Sequence, residues 1–179
     1  MSYSMTILKQ NNINYDWKTL YVGVRLGLIE QDDITNYAVE FLTAHPDSNN
    51  NDIIQLAWGE SDNDYERKLE NILKESDVDD IFPESDVWQY EKRKWRFAIL
   101  IHFKKIHQDD FEGLLNKVAE VYADMDYPED MESFINYLTP KDGYNPSLHS
   151  PEENVARLIN LFNIFLKKEQ QYLKNDLTF

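Results

Sequence analysis

Apolar side chains recur along most of this chain at intervals of three and four residues, the period of an α-helix with one buried face. Trp17, Leu20, Tyr21, Val24 and Leu28 form the first stripe, and Asp16 is placed to cap it. Ile34, Tyr37, Ala38, Phe41 and Leu42 form the second, which His45-Pro46 breaks, because a residue before proline avoids the helical region. A short helix is expected over Asp52 to Trp58 and ends at Gly59, with Ser61 or Asp62 as cap for the stripe Tyr65, Leu69, Ile72 and Leu73. The stretch from Val87 to Ile106 is apolar on several sides, the mark of a buried helix. Asp109, with Glu112 three residues on, resembles a capping box ahead of Phe111, Leu114, Leu115, Val118 and Tyr122. Pro128 suits a first helical position before Met131, Phe134, Ile135 and Leu138. Ser150-Pro151-Glu152-Glu153 combines a cap, a first-turn proline and a capping glutamate at the start of a closing helix that runs towards Tyr172.

The pattern predicts an all-α fold, an irregular multi-helix bundle of about eight helices, and contains no strong strand. Stacked helix hairpins, an α-solenoid-like arrangement, are the alternative, but no fixed-period repeat supports them. The 179 residues suit a single helical domain over 1–179, in which residues 1–15 carry no clear stripe and could be flexible. Gly23 and Gly27 are read as structural, permitting close helix contact and marking a helix end.

Composition narrows the chemistry. The absence of cysteine rules out disulfides, thiolate nucleophiles and thiolate metal sites. No apolar run approaches the ~20 residues of a membrane span, and the N-terminus lacks a signal-peptide core. The expected location is therefore cytoplasmic. The net charge of −15 repels phosphates, so neither nucleic acid nor an anionic membrane is an expected partner. One segment runs against that mean: Lys92, Arg93, Lys94, Arg96, Lys104 and Lys105 lie among Trp88, Tyr90, Trp95 and Phe97, a mixture that RNA-binding segments also show. The stronger reading is that these bases pair with the surplus acids.

Known catalytic and cofactor signatures are missing. There is no phosphate-cradling glycine loop, nucleophile elbow or zinc helix, and no cofactor is expected. His102 and His107 are five residues apart, about 140° around a helix, and so diverge; no metal is expected. A carboxylate pair needs only two acids brought together by the fold, and nothing in the sequence singles one out.

The acids do cluster. Glu60 to Asp86 holds eleven, among them Asp77, Asp79, Asp80, Glu84 and Asp86, and Asp109 to Glu132 holds nine against Lys117 alone. The densest run is Tyr122-Ala123-Asp124-Met125-Asp126-Tyr127-Pro128-Glu129-Asp130. Three readings compete there. Asp126 and Glu129 could serve the dipole of a following helix. The group could bind calcium, although the glycine of the usual twelve-residue loop is missing. Or the acids, with Tyr122 and Tyr127, could form a recognition patch.

Three stretches carry a resemblance: Tyr21 to Ile29, Lys94 to Leu100, and Glu120 to Met131. They resemble a bacterial family catalogued as domain of unknown function 2247, over roughly Trp17 to Leu138. The resemblance marks no chemistry. It implies similarity to the small acidic immunity proteins encoded beside bacterial toxins, which block a toxin with a preformed, charge-complementary surface. The expectation is a non-enzymatic protein-binding module, with a basic toxin domain as partner and, as its contact surface, the acids of Asp77 to Asp86 and of Asp124 to Asp130 with exposed tyrosines or tryptophans as anchors. The alternatives are a helical adaptor or scaffold, and an enzyme with an unrecognised carboxylate site.

Overall fold

A computed structural model describes residues 3–59, 64–78 and 81–175. Eight α-helices and two short 3₁₀ turns form an all-α fold, with no strand among the described residues. The helices are α1 (Thr6–Gln10), α2 (Trp17–Arg25), α3 (Gln31–Ala44), α4 (Asn51–Trp58), α5 (Tyr65–Glu75), α6 (Asp86–Ile106), α7 (Phe111–Asp124) and α8 (Pro151–Asn175). Two compact units divide the chain, Met1–Trp95 and Arg96–Phe179, and the division falls within α6.

In the first unit α3 packs on α4, and both α2 and α4 pack on α5. Local chemistry explains the ends. Asp16 accepts from the Lys18 and Thr19 amides, and the Thr19 hydroxyl answers with a bond from the Asp16 amide, closing a capping box. Asn50 caps α4 through the Ile53 amide at 3.0 Å. Gly23 within α2 and Gly27 just past its end divide the roles foreseen for them. Gly23 lies under the Trp95 ring, where an added Cβ would stand 2.7 Å from the indole, so only glycine allows that approach. Gly27 adopts φ +66° and ends the helix. Ser61 and Asp62 lie outside the described residues, and α5 instead starts after Asp64. Before α2, residues 3–15 contain α1, with Met5, Ile7 and Leu8 buried. The Asp33 carboxylate fixes this start by accepting from the Met5 amide and the Ser4 hydroxyl.

In the second unit α8 packs on α7 and on a 3₁₀ turn, Glu129–Phe134. That turn corrects the expected helix after Pro128. Pro128 is extended (ψ 125°) and precedes the turn rather than opening it, and Ile135 is extended again. Met131 and Phe134, three apart, still share a buried face, because side chains at that spacing eclipse in a 3₁₀ turn. The cap of α7 is Asp110, one residue beyond the expected Asp109, bonded to the Gly113 amide at 2.9 Å. Ser150 and Glu153 form the foreseen reciprocal capping box, at 2.8 and 3.2 Å. No helix among the described residues is long and apolar enough to cross a membrane.

Candidate functional site

The basic, aromatic segment of α6 is largely interior. Lys94 is buried and donates to Glu91 Oε1 at 3.0 Å and to the Thr19 hydroxyl at 3.1 Å, while Trp95 Nε1 donates to the Thr19 carbonyl. Burial raises the Glu91 carboxyl above its ordinary pKa, and Lys94 only partly opposes that. In the second unit Arg96 grips Asp130 with two bonds of 2.8 Å and Glu169 with one of 3.0 Å, its guanidinium 5.1 Å from the Phe165 ring centre. Lys94 and Arg96 thus meet acids within the fold, as the charge-pairing reading expected, while Lys104 and Lys105 are exposed.

The run Tyr122 to Asp130 is organised by the end of α7. The Asp126 amide donates to the Ala123 carbonyl, and the Tyr127 amide reaches back to the Tyr122 carbonyl at 2.9 Å. These are the two bonds of a Schellman motif, whose first residue beyond the cap is left-handed and usually glycine. Here it is Asp126, at φ 63°, and Tyr127 follows at φ 55° directly before Pro128. Left-handed geometry costs a residue with a Cβ about 1–2 kcal/mol, with aspartate among the more tolerant types. Asp124 and Asp126 also sit at the negative end of the helix dipole, where a carboxylate is disfavoured. The turn beginning at Glu129 gains no side-chain cap bond. Helix capping therefore does not account for these acids. Asp126→Gly is expected to raise stability by ~1 kcal/mol, measured as a higher urea midpoint.

Around this turn the Tyr122 ring stands edge-on to Tyr127, with ring centres 5.3 Å apart, and tilts against Tyr137 at 6.5 Å. Tyr122 is buried, whereas Tyr127 and Tyr137 are 63% and 60% exposed. Burial, and next the Glu132 carboxylate, hold the Tyr122 phenol above its usual pKa. Asp124, Asp126 and Glu129 are exposed beside this aromatic group. Asp130, half-exposed, is bonded to Arg96. Tyr137 was not legible as a member, because only the reversal through the 3₁₀ turn brings it to Tyr122.

The other cluster lies in the first unit. Asp77 is exposed, and it too occupies the left-handed residue of a Schellman end, at φ 57° after α5. Glu84 and Asp86 are exposed near Phe82, itself 49% exposed. Asp79 and Asp80 lie outside the described residues.

A cavity of about 570 Å³ opens in the second unit between the acidic turn and α8, lined by residues that include Glu129, Glu132, Lys141, Asp142 and Arg157. Two of these carboxylates are held in ion pairs, Glu132 with Lys141 and Asp142 with Arg157, and Glu129 is exposed. The Arg157 guanidinium holds Asp142 below the usual carboxylate range, opposite to the raised value a general acid needs. Among the described residues no three His, Asp or Glu side chains converge as a metal site would require.

A family model described as an uncharacterized protein conserved in bacteria, DUF2247, matches residues 5–170, extending well into α8 and past the Leu138 limit of the resemblance. No curated protein and no solved structure matches the chain.

Proposed function

The chain belongs to the bacterial family DUF2247, and from that premise we propose that it is a cytoplasmic, non-enzymatic binding protein, an immunity protein that neutralises a cognate basic toxin domain. The observation that carries the reading is the turn at Asp124 to Glu129. Asp124 and Asp126 occupy positions that cost stability, at the wrong end of a helix dipole and, for Asp126, on left-handed backbone, and with Glu129 they flank exposed tyrosines. Unfavourable residues held on a surface by a well-bonded turn point to recognition. Tyrosine is a frequent interface anchor, and its ring face attracts lysine and arginine side chains. The surrounding carboxylates would steer a basic partner into contact, which mainly raises the association rate. Asp77, Glu84 and Asp86, with Phe82, form a second acidic face of similar chemistry, with Asp79 and Asp80 beside it in sequence.

The test pairs this chain with a basic toxin-like domain encoded next to it. Co-expression should relieve the toxin's lethality. A variant carrying Asp124→Lys, Asp126→Asn and Glu129→Lys should bind at least ~100-fold more weakly, in part through slower association that depends less on salt. Asp130 is left unchanged because its carboxylate holds Arg96. Helicity by circular dichroism should match the parent. An affinity within about twofold of the parent would remove this face as the contact surface, and failure to relieve lethality would overturn the immunity role.

A further inference from the structure

Lys141 and Arg157 line the same cavity of about 570 Å³ in the second unit, and the two cations are held very differently. Arg157 is bonded to Asp142 at 2.6 Å and lies 4.2 Å from the centre of the Tyr144 ring, with 19% of its side chain exposed. Lys141 is paired with Glu132, and its side chain is 76% exposed. Glu132 is the enclosed member of that pair, at 26%. A half-buried carboxylate thus lines the cavity with a solvated lysine laid on it. The 3₁₀ turn sets a second acid on the same side, because Glu129 stands three residues before Glu132, a spacing at which side chains eclipse. The bond to Glu132, then the Glu132 charge and after it that of Glu129, hold the Lys141 ammonium above its ordinary pKa. The cavity rim is therefore a place for a cation, occupied by one of the chain's own. Leu138, Pro140 and Leu161 line the cavity beside it.

Given the basic partner proposed above, on which this inference rests, we infer that Lys141 is a placeholder: an arginine side chain of that partner displaces it from Glu132 and lays its stem along Leu138, Pro140 and Leu161. An ion pair with so exposed a lysine contributes little and is readily released. A guanidinium donates through a planar fork and serves Glu132 and Glu129 together, where an ammonium is a point charge. Arginine in a water-excluding pocket is a frequent interface anchor. Arg157 does not oppose its entry, because Asp142 already neutralises that charge. Glu129 belongs both to the acidic turn and to this cavity, so the pocket continues the face on which the partner docks.

The experiment titrates the full chain with N-acetylarginine N-methylamide, and with its citrulline analogue, which keeps the shape without the charge, followed by backbone amide NMR shifts. The arginine compound should shift the resonances of Glu132, Leu138 and Lys141 and bind about tenfold tighter than the citrulline one. Glu132→Gln should weaken it about tenfold. Lys141→Met should tighten it about fivefold by removing the placeholder, whereas Lys167→Met, which takes the same charge from another exposed lysine of this unit, should leave it within about 1.5-fold. With the toxin domain, Lys141→Met should likewise tighten binding about fivefold, through slower dissociation. No shift at ~50 mM probe, equal affinity for the arginine and citrulline compounds, equal effects of the two lysine variants, or a toxin affinity unmoved by Lys141→Met would overturn the inference. The probe needs no toxin, so the two readings fail separately. A silent probe beside relieved lethality removes the pocket alone, and a bound probe without relief removes the immunity role alone.

Discussion

Replacing Arg96 with methionine is expected to destabilise the chain by about 3–5 kcal/mol, measured as a fall in the urea midpoint. The size follows from what is left behind. Glu169 is 1% exposed and accepts from Arg96 at 3.0 Å, so the variant takes a charge-assisted bond from a buried carboxylate. Asp130 contributes less to the cost, because its side chain is 47% exposed and water can replace the guanidinium. Arg96→Lys should recover only part of the loss, since an ammonium cannot reproduce the two parallel bonds to Asp130 while also reaching Glu169. Adding Glu169→Leu to the methionine variant should restore most of the stability, as replacing a whole buried pair with apolar groups is often neutral. A cost below ~1 kcal/mol for the single variant would mean that the Arg96 network is not what holds the second unit together.

That network also shows where sequence reasoning stops. The caps at Asp16 and Ser150, the break at His45-Pro46 and the roles of Gly23 and Gly27 were legible because each is decided within a few residues. The short α1 was not, since five residues are too few to display a helical stripe. The stripe at Met131, Phe134, Ile135 and Leu138 promised a helix but fits a shorter 3₁₀ turn, because both geometries place residues three apart on one side. The site was legible as composition and not as geometry. The run Asp124 to Asp130 looks uniform on paper. In the fold Asp126 is fixed by left-handed backbone, while Asp130 is drawn to Arg96, thirty-four positions earlier. Glu169, seventy-three positions from Arg96, had no local signal at all. Long-range partners sort the acids into structural and exposed, and a single sequence does not carry that information.

Glu91 offers the sharper case, because its ion pair is costly and yet removing half of it should cost more. The side chain is 1% exposed, and its pKa is raised by burial despite Lys94 at 2.8 Å, so desolvation exceeds what the ammonium returns. Glu91→Ala is expected to lose about 3–5 kcal/mol, because buried Lys94 then keeps only the Thr19 hydroxyl of its two bonds. Glu91→Leu with Lys94→Met should be neutral or more stable than the parent, which denaturant unfolding of both variants would decide. The pH dependence has a definite sign. With the folded pKa above the unfolded value, the native state holds more protons between the two, so this group's stabilisation is complete at low pH. It is lost as pH rises from about the ordinary 4.5 through the raised value. Glu91→Gln removes that step while keeping the shape. The stability of the parent minus that of this variant should therefore fall with rising pH across that window and level off above it. A difference that rises instead would mean that Lys94 outweighs burial, and the pair would then be a net stabiliser of the first unit.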